Sequence, residues 1–220
     1  MAMTDEPCAY CGGTEHPRER GHVIQRSVYP TAVPSTVQRP TVPECSECKK
    51  IWQDAETQFR NIMMVAGVTN ASVQELWDGP VTRSFDKPSG PRWLRDLTSQ
   101  MVPVETPDSP RHAVYPDRDE RVMTVVRRTI RGLCHYHGLG TAIADCQVFA
   151  HVMRYAIPPA FWERFVPVNL GDDFCRYWYY DLRAEDPDHH SSWVIEFFGR
   201  TKFFAIVSAN EAGWPEQEAA

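Results

Sequence analysis

Two stretches of the chain repeat apolar residues at helical spacing. From Asp54 to Ala66, the residues Phe59, Ile62, Met63 and Ala66 fall on one face. Asp54 is a candidate N-cap and Gly67 stops the run. From Asp119 to His137 a longer stripe of Val122, Val125, Val126, Thr129, Ile130 and Leu133 predicts a stronger helix, ended by Gly138 and Gly140. Between them, Trp93, Leu94, Leu97 and Met101 mark a short apolar face. Further on, the period becomes that of strands. Phe174 to Leu182, Trp193 to Phe198 and Phe203 to Val207 are aromatic and β-branched, with a tight turn expected at Gly199-Arg200.

These patterns divide the chain. Residues 1–67 hold all the paired cysteines. Residues 68–117 form a Pro- and Gly-rich connecting region with short helical pieces, and Pro103, Pro107, Pro110 and Pro116 mark its end as a linker or surface-wrapped loop. Residues 118–208 read as an α+β domain with an antiparallel sheet, and 209–220 as a tail. No internal repeat is visible. The expected fold class is α+β: a zinc-stabilised N-terminal module plus an α+β domain.

Composition narrows the picture. Of 220 residues, 42% are hydrophobic, enough to bury a core. The net charge of -6 argues against indiscriminate nucleic-acid binding, which needs many cations against phosphate, but permits a local basic face. No apolar run approaches the roughly 18 residues of a membrane helix, and Met1 to Cys8 lacks an apolar signal core. No membrane partner and a cytoplasmic location are expected. There the seven cysteines would be thiols or metal ligands, not disulfides.

The cysteines carry the strongest chemical signal. Cys8-Ala9-Tyr10-Cys11 and Cys45-Ser46-Glu47-Cys48 are two C-x-x-C knuckles, and Gly12-Gly13 supplies permissive backbone after the first. Each knuckle offers two thiolates to one side of an ion, and two knuckles complete a zinc tetrahedron. The bland alternative is unrelated buried or redox cysteines. Four thiolates leave no open position, so such a zinc would hold the fold and do no chemistry.

Weaker clusters have weaker readings. Cys134-His135-Tyr136-His137 sits on a helix with its side chains pointing different ways, which favours a core or helix-end role over a second metal site. His189-His190 reads as a solvated loop. Arg121, Arg128 and Arg131 could align on the polar side of their helix, either as a nucleic-acid strip or as the wet face of an amphipathic helix. Trp162, Tyr177, Trp178, Tyr179 and Tyr180 read as core and sheet-face residues before a base-stacking platform.

Between the knuckles lies Arg20-Gly21-His22-Val23-Ile24-Gln25-Arg26-Ser27, and after the second come Lys49-Lys50, Glu56, Phe59 and Arg60. Across about residues 8 to 62 this layout resembles the HNH endonucleases, the His-Me finger group with a ββα-metal core. The resemblance implies a treble-clef-like hairpin and helix, DNA as partner, and His22 at the end of a strand as general base. It also implies a divalent ion such as Mg2+ or Mn2+ beside the base, in addition to structural Zn2+. Arg26, Lys49 and Lys50 become candidate phosphate contacts, against the plainer readings of a surface salt bridge and a solvated helix start. A His22 packed structurally on the zinc module is the alternative for that residue. A non-catalytic zinc module binding nucleic acid or protein is the alternative function, and a homodimer is compatible with either. The chain departs from the family pattern at Gly21, where an acid is expected, at Lys49 in place of Asn, and at Gln25 in place of Pro. Glu19, Asp54 or Glu56 would have to supply the missing oxygen ligands, or Lys49 would have to stand in for the ion.

Overall fold

The computed structural model describes residues 5–31, 33–34, 36–67, 69–105 and 111–210. The chain begins with the first cysteine knuckle and then a hairpin of β1 (Arg18–His22) and β2 (Thr41–Cys45), paired antiparallel with Gly21 opposite Val42 and Glu19 opposite Glu44. Helix α1 (Ser46–Val65) follows without a linker. It starts eight residues before the expected Asp54, because Cys45 caps it: the thiol accepts from the Cys48 backbone N–H at 3.4 Å. Asp54 is therefore an exposed mid-helix residue, paired with Arg92.

The connecting region carries α2 (Ala71–Leu76), a π-helical turn at Trp77–Val81, α3 (Thr82–Phe85) and α4 (Gly90–Ser99). Trp93 and Leu97 of α4 are buried, whereas Leu94 faces solvent, so only part of that apolar face packs inward. A small hairpin, β3 (Val102–Val104) with β4 (Arg111–Ala113), occupies the expected linker. Pro107 and Pro110 lie outside the described residues, as do residues 211–220 of the expected tail.

Helix α5 (Glu120–Tyr136) is capped by Asp119, whose carboxylate accepts from the Arg121 N–H at 3.0 Å and from the Gln58 amide of α1 at 2.9 Å. Five strands complete the chain: β5 (Val148–Val152), β6 (Val166–Asn169), β7 (Cys175–Asp181), β8 (His189–Phe197) and β9 (Thr201–Ser208), with α6 (Pro159–Trp162) between β5 and β6. They form an antiparallel sheet in the order β5-β9-β8-β7-β6. The three central strands are the ones the sequence pattern predicts. The two it misses are the edges, where one neighbour suffices and polar His151 and Pro167 are tolerated. His189 and His190 open β8 and are not in a loop.

One hydrophobic cluster runs through the chain, from Tyr10 and Val23 by the knuckle, through Phe59 and Ile62 of α1 and Val126 and Ile130 of α5, to Trp193 and Phe203 of the sheet. Helix α5 is its hinge pin. It packs against α1 on one side and against β5 and β9 on the other. At Gly132 it passes so close to the N-terminal module that a Cβ would lie 2.8 Å from both the Tyr10 hydroxyl and Val23 Cγ1.

Candidate metal centre and adjoining cleft

Cys8 and Cys11 lie in the turn before β1, Cys45 ends β2 and Cys48 is in the first turn of α1. Their four sulfurs all lie within 4.8 Å of one another. Cys11 Sγ and Cys45 Sγ are 3.8 Å apart. Four thiolates at about 2.3 Å from a central ion would be separated by about 3.8 Å along each tetrahedral edge, so the spacing suits a metal. The Cys45 backbone N–H donates to Cys8 Sγ at 3.4 Å, which fixes one knuckle against the other. Gly12, at φ +71°, makes the first knuckle's turn and donates its N–H to the Cys8 carbonyl at 2.8 Å. Only Cys11 is exposed among the four. The four cysteines are thus placed to hold a metal ion with a closed donor set, and they join hairpin to helix.

Beside it, a cleft of about 260 Å³ opens where the hairpin meets α1 and α5. His22 ends β1, Arg26 lies in the 3-10 turn Arg26–Val28, and Lys49 is in the first turn of α1; all three line this cleft. Lys50 does not. It is exposed and pairs with Glu47 at 2.8 Å one turn back along the helix. Lys49 is itself engaged by Glu19, its neighbour across the cleft rim.

Three charged side chains lie at the base, Arg128 and Glu44 buried and Glu56 half-buried. Arg128 of α5 is 2% exposed and donates to Glu44 Oε1 at 2.9 Å and, as an ion pair, reaches Glu56 Oε1 at 3.1 Å. Its guanidinium also sits 5.0 Å from the centre of the Tyr10 ring. Burial works against the charge on Arg128, but Tyr10, Glu44 and Glu56 outweigh it and its pKa is raised. Burial pushes the Glu56 carboxyl up; Arg128 opposes this and Glu44 adds to it. The His22 imidazole is pushed down by burial first, then by Arg39 and Arg26, which favours its neutral form. Its Nδ1 is buried and has no hydrogen-bond partner among the described residues. The same holds for both the Oε1 and the Nε2 of Gln25, a side chain only 4% exposed that also lines the cleft.

The divalent ion implied beside His22 does not fit these residues. Glu19 is committed to Lys49, and Asp54 reaches out to Arg92 at 3.3 Å. Glu56 does line the cleft, and Glu44 joins it, but a buried guanidinium already bridges the two. A second cation there would meet like charge in a poorly solvated site. Among the described residues, the four cysteines are the one His/Cys/Asp/Glu grouping with metal-ligand spacing.

The Arg strip on α5 is corrected by burial. Arg128 and Arg131 face inward, Arg131 donating to the Tyr10 carbonyl at 2.8 Å and the Ile143 carbonyl at 2.6 Å, while Arg121 is held by Asp96 and Asp119. Arg128 and Arg131 fasten α5 to the module, and Arg121 ties it to α4, instead of offering a surface. The Cys134–His137 cluster is core and helix end: Cys134 is buried against Ser191, and His137 Nε2 meets the Tyr177 hydroxyl at 3.0 Å. Sequence reasoning missed Glu44, Gln25 and Arg128 as cleft residues. A charged residue inside the apolar Val42-Pro43-Glu44-Cys45 strand was the available signal.

Comparison with known proteins finds no matching family model, no similar curated protein and no matching solved structure.

Proposed function

We propose that the chain is a divergent HNH-like phosphodiester protein, its N-terminal ββα finger built on a structural zinc and its cleft a nucleic-acid phosphate site with His22 as general base. The observation that carries this reading is that His22, Arg26 and Lys49 line a single cleft beside the four-cysteine centre. A neutral imidazole accepts a proton, and Arg26 and Lys49 offer positive charge to a phosphate. Zinc suits the four thiolates through softness and spacing, and its closed coordination leaves it structural. The catalytic cation in this reading is the protein's own Arg128, held between Glu44 and Glu56 where the family would hold an ion.

His22→Ala tests the reading. Cleavage of labelled nucleic acid should fall by about 10²–10⁴-fold, with zinc content and melting temperature unchanged. Undiminished cleavage by the variant would remove His22 from the chemistry. The engagement of Lys49 by Glu19 favours a second reading, a non-catalytic module that only binds nucleic acid or a protein. Binding without cleavage by the wild type would decide for it.

A further inference from the structure

We propose that the cleft takes RNA, with a ribose 2′-hydroxyl held by Gln25 and deprotonated by His22. The proposal rests on the reading of the cleft as a phosphodiester site and names its substrate class. Gln25 is 4% exposed and lines the cleft, yet neither its Oε1 nor its Nε2 has a partner among the described residues. Burying an unbonded donor or acceptor costs about 1–3 kcal/mol, so such groups call for an explanation. His22 Nδ1, three residues away on the same cleft, is buried and unbonded too.

The chemistry of these three atoms selects a ligand. A phosphate oxygen at neutral pH accepts and does not donate, so it could take a bond from Gln25 Nε2 but offers no proton to an imidazole base. A hydroxyl accepts from Nε2 and donates its one proton to His22, and the 2′-hydroxyl is the one that distinguishes RNA from DNA. A base edge also donates and accepts. However, among the described residues no Phe, Tyr or Trp lines the cleft to stack a base, and its 260 Å³ is below the roughly 300–1,000 Å³ of ordinary ligand pockets. A sugar–phosphate suits it better.

The filled cation position points the same way. Water becomes a strong nucleophile for a diester when a metal lowers its pKa, and the carboxylates that would hold such a metal are bound to Arg128. A 2′-oxygen is already attached next to the phosphorus and needs only a base and fixed positive charge. In the step, the O2′–H proton passes to His22, the O2′–P bond forms, and the P–O5′ bond breaks. The departing O5′ takes a proton from water. The products are a 2′,3′-cyclic phosphate and a 5′-hydroxyl, and the protonated His22 returns its proton to the hydroxide left in solvent.

The test uses full-length, metal-loaded protein, assayed both without and with added magnesium. Three end-labelled oligonucleotides of one sequence are compared: RNA, DNA, and RNA with 2′-O-methyl sugars. The RNA alone should be cut, leaving cyclic phosphate ends, and Gln25→Met should slow this about tenfold, the loss of one hydrogen bond of ordinary strength. The methylated substrate needs no variant, so a misfolded Gln25→Met leaves the test intact. Cleavage of DNA that requires magnesium, or of methylated RNA, overturns the RNA assignment while the phosphodiester reading stands. Equal binding of RNA and DNA with no cleavage overturns it in favour of the binding module. Neither binding nor cleavage of any of the three overturns both.

Discussion

The carboxylate of Glu44 fills the space that a side chain at Gly21 would occupy: a Cβ built on residue 21 would lie 2.3 Å from Glu44 Oε2 and 3.0 Å from its Cβ. The two residues sit on adjacent paired strands, Glu44 lying two residues along from Val42, the direct partner of Gly21. Residue 21 on β1 carries no acid; the carboxylate at this point reaches over from β2 and is bonded to Arg128.

Gly21→Ala should consequently destabilise the protein by about 1–3 kcal/mol, the usual cost of overpacking. Glu44 cannot swing aside cheaply, being buried and bonded. Urea denaturation of Gly21→Ala, Glu44→Ala and the double variant should reveal a coupling above about 0.5 kcal/mol. Strict additivity would show that the two side-chain positions do not compete.

Arg128 should be among the costliest residues to remove. Arg128→Met leaves the buried Glu44 and the half-buried Glu56 without their cation, and breaking a buried pair such as Arg128–Glu44 costs about 3–5 kcal/mol. Adding Glu44→Gln and Glu56→Gln should recover part of the loss, because neutral amides need no counter-charge. If the triple variant is no more stable than Arg128→Met alone, the loss came from packing and not from charge.

Purified protein should carry one zinc per chain by elemental analysis, and Cys45→Ser should lose it. Cys45 is both a ligand candidate and the cap of α1, so its loss should also reduce helical signal and melting temperature. Full zinc content in Cys45→Ser would place the ion elsewhere.

Stability should fall on mild acidification. Burial lowers the pKa of His22, His135, His137 and His151 in the fold. The unfolded chain then binds more protons below about pH 6.5, so stability that is complete above that value is lost as the pH drops toward the depressed folded values. Glu56, raised by burial, acts in the opposite sense, but as one group against four. The urea midpoint should be lower at pH 5.5 than at 7.5, with zinc content checked at both. An unchanged midpoint at constant zinc content would contradict the assigned shifts.

Much of this molecule could be read directly from the order of its residues. The double C-x-x-C marked a four-cysteine cluster able to hold a metal ion, because short loops hold each thiol pair in reach whatever the rest of the chain does. The apolar stripe of residues 122–133 and the aromatic runs after 174 fixed the long helix and the central strands, because their periods match what a buried helix and sheet require. The bond between Arg128 and Glu44, 84 residues apart, had no local signature. On the helix, Arg128 looks like a wet-face residue; it turns inward because two carboxylates from the hairpin and α1 wait there. Edge strands β5 and β6 likewise took their identity from β9 and β7. The unbonded Gln25 was visible only as a departure from a motif until packing enclosed it beside His22. Local periodicity and loop length are carried by the sequence itself, whereas partner choice for a buried charge is settled by which distant groups lose their water together.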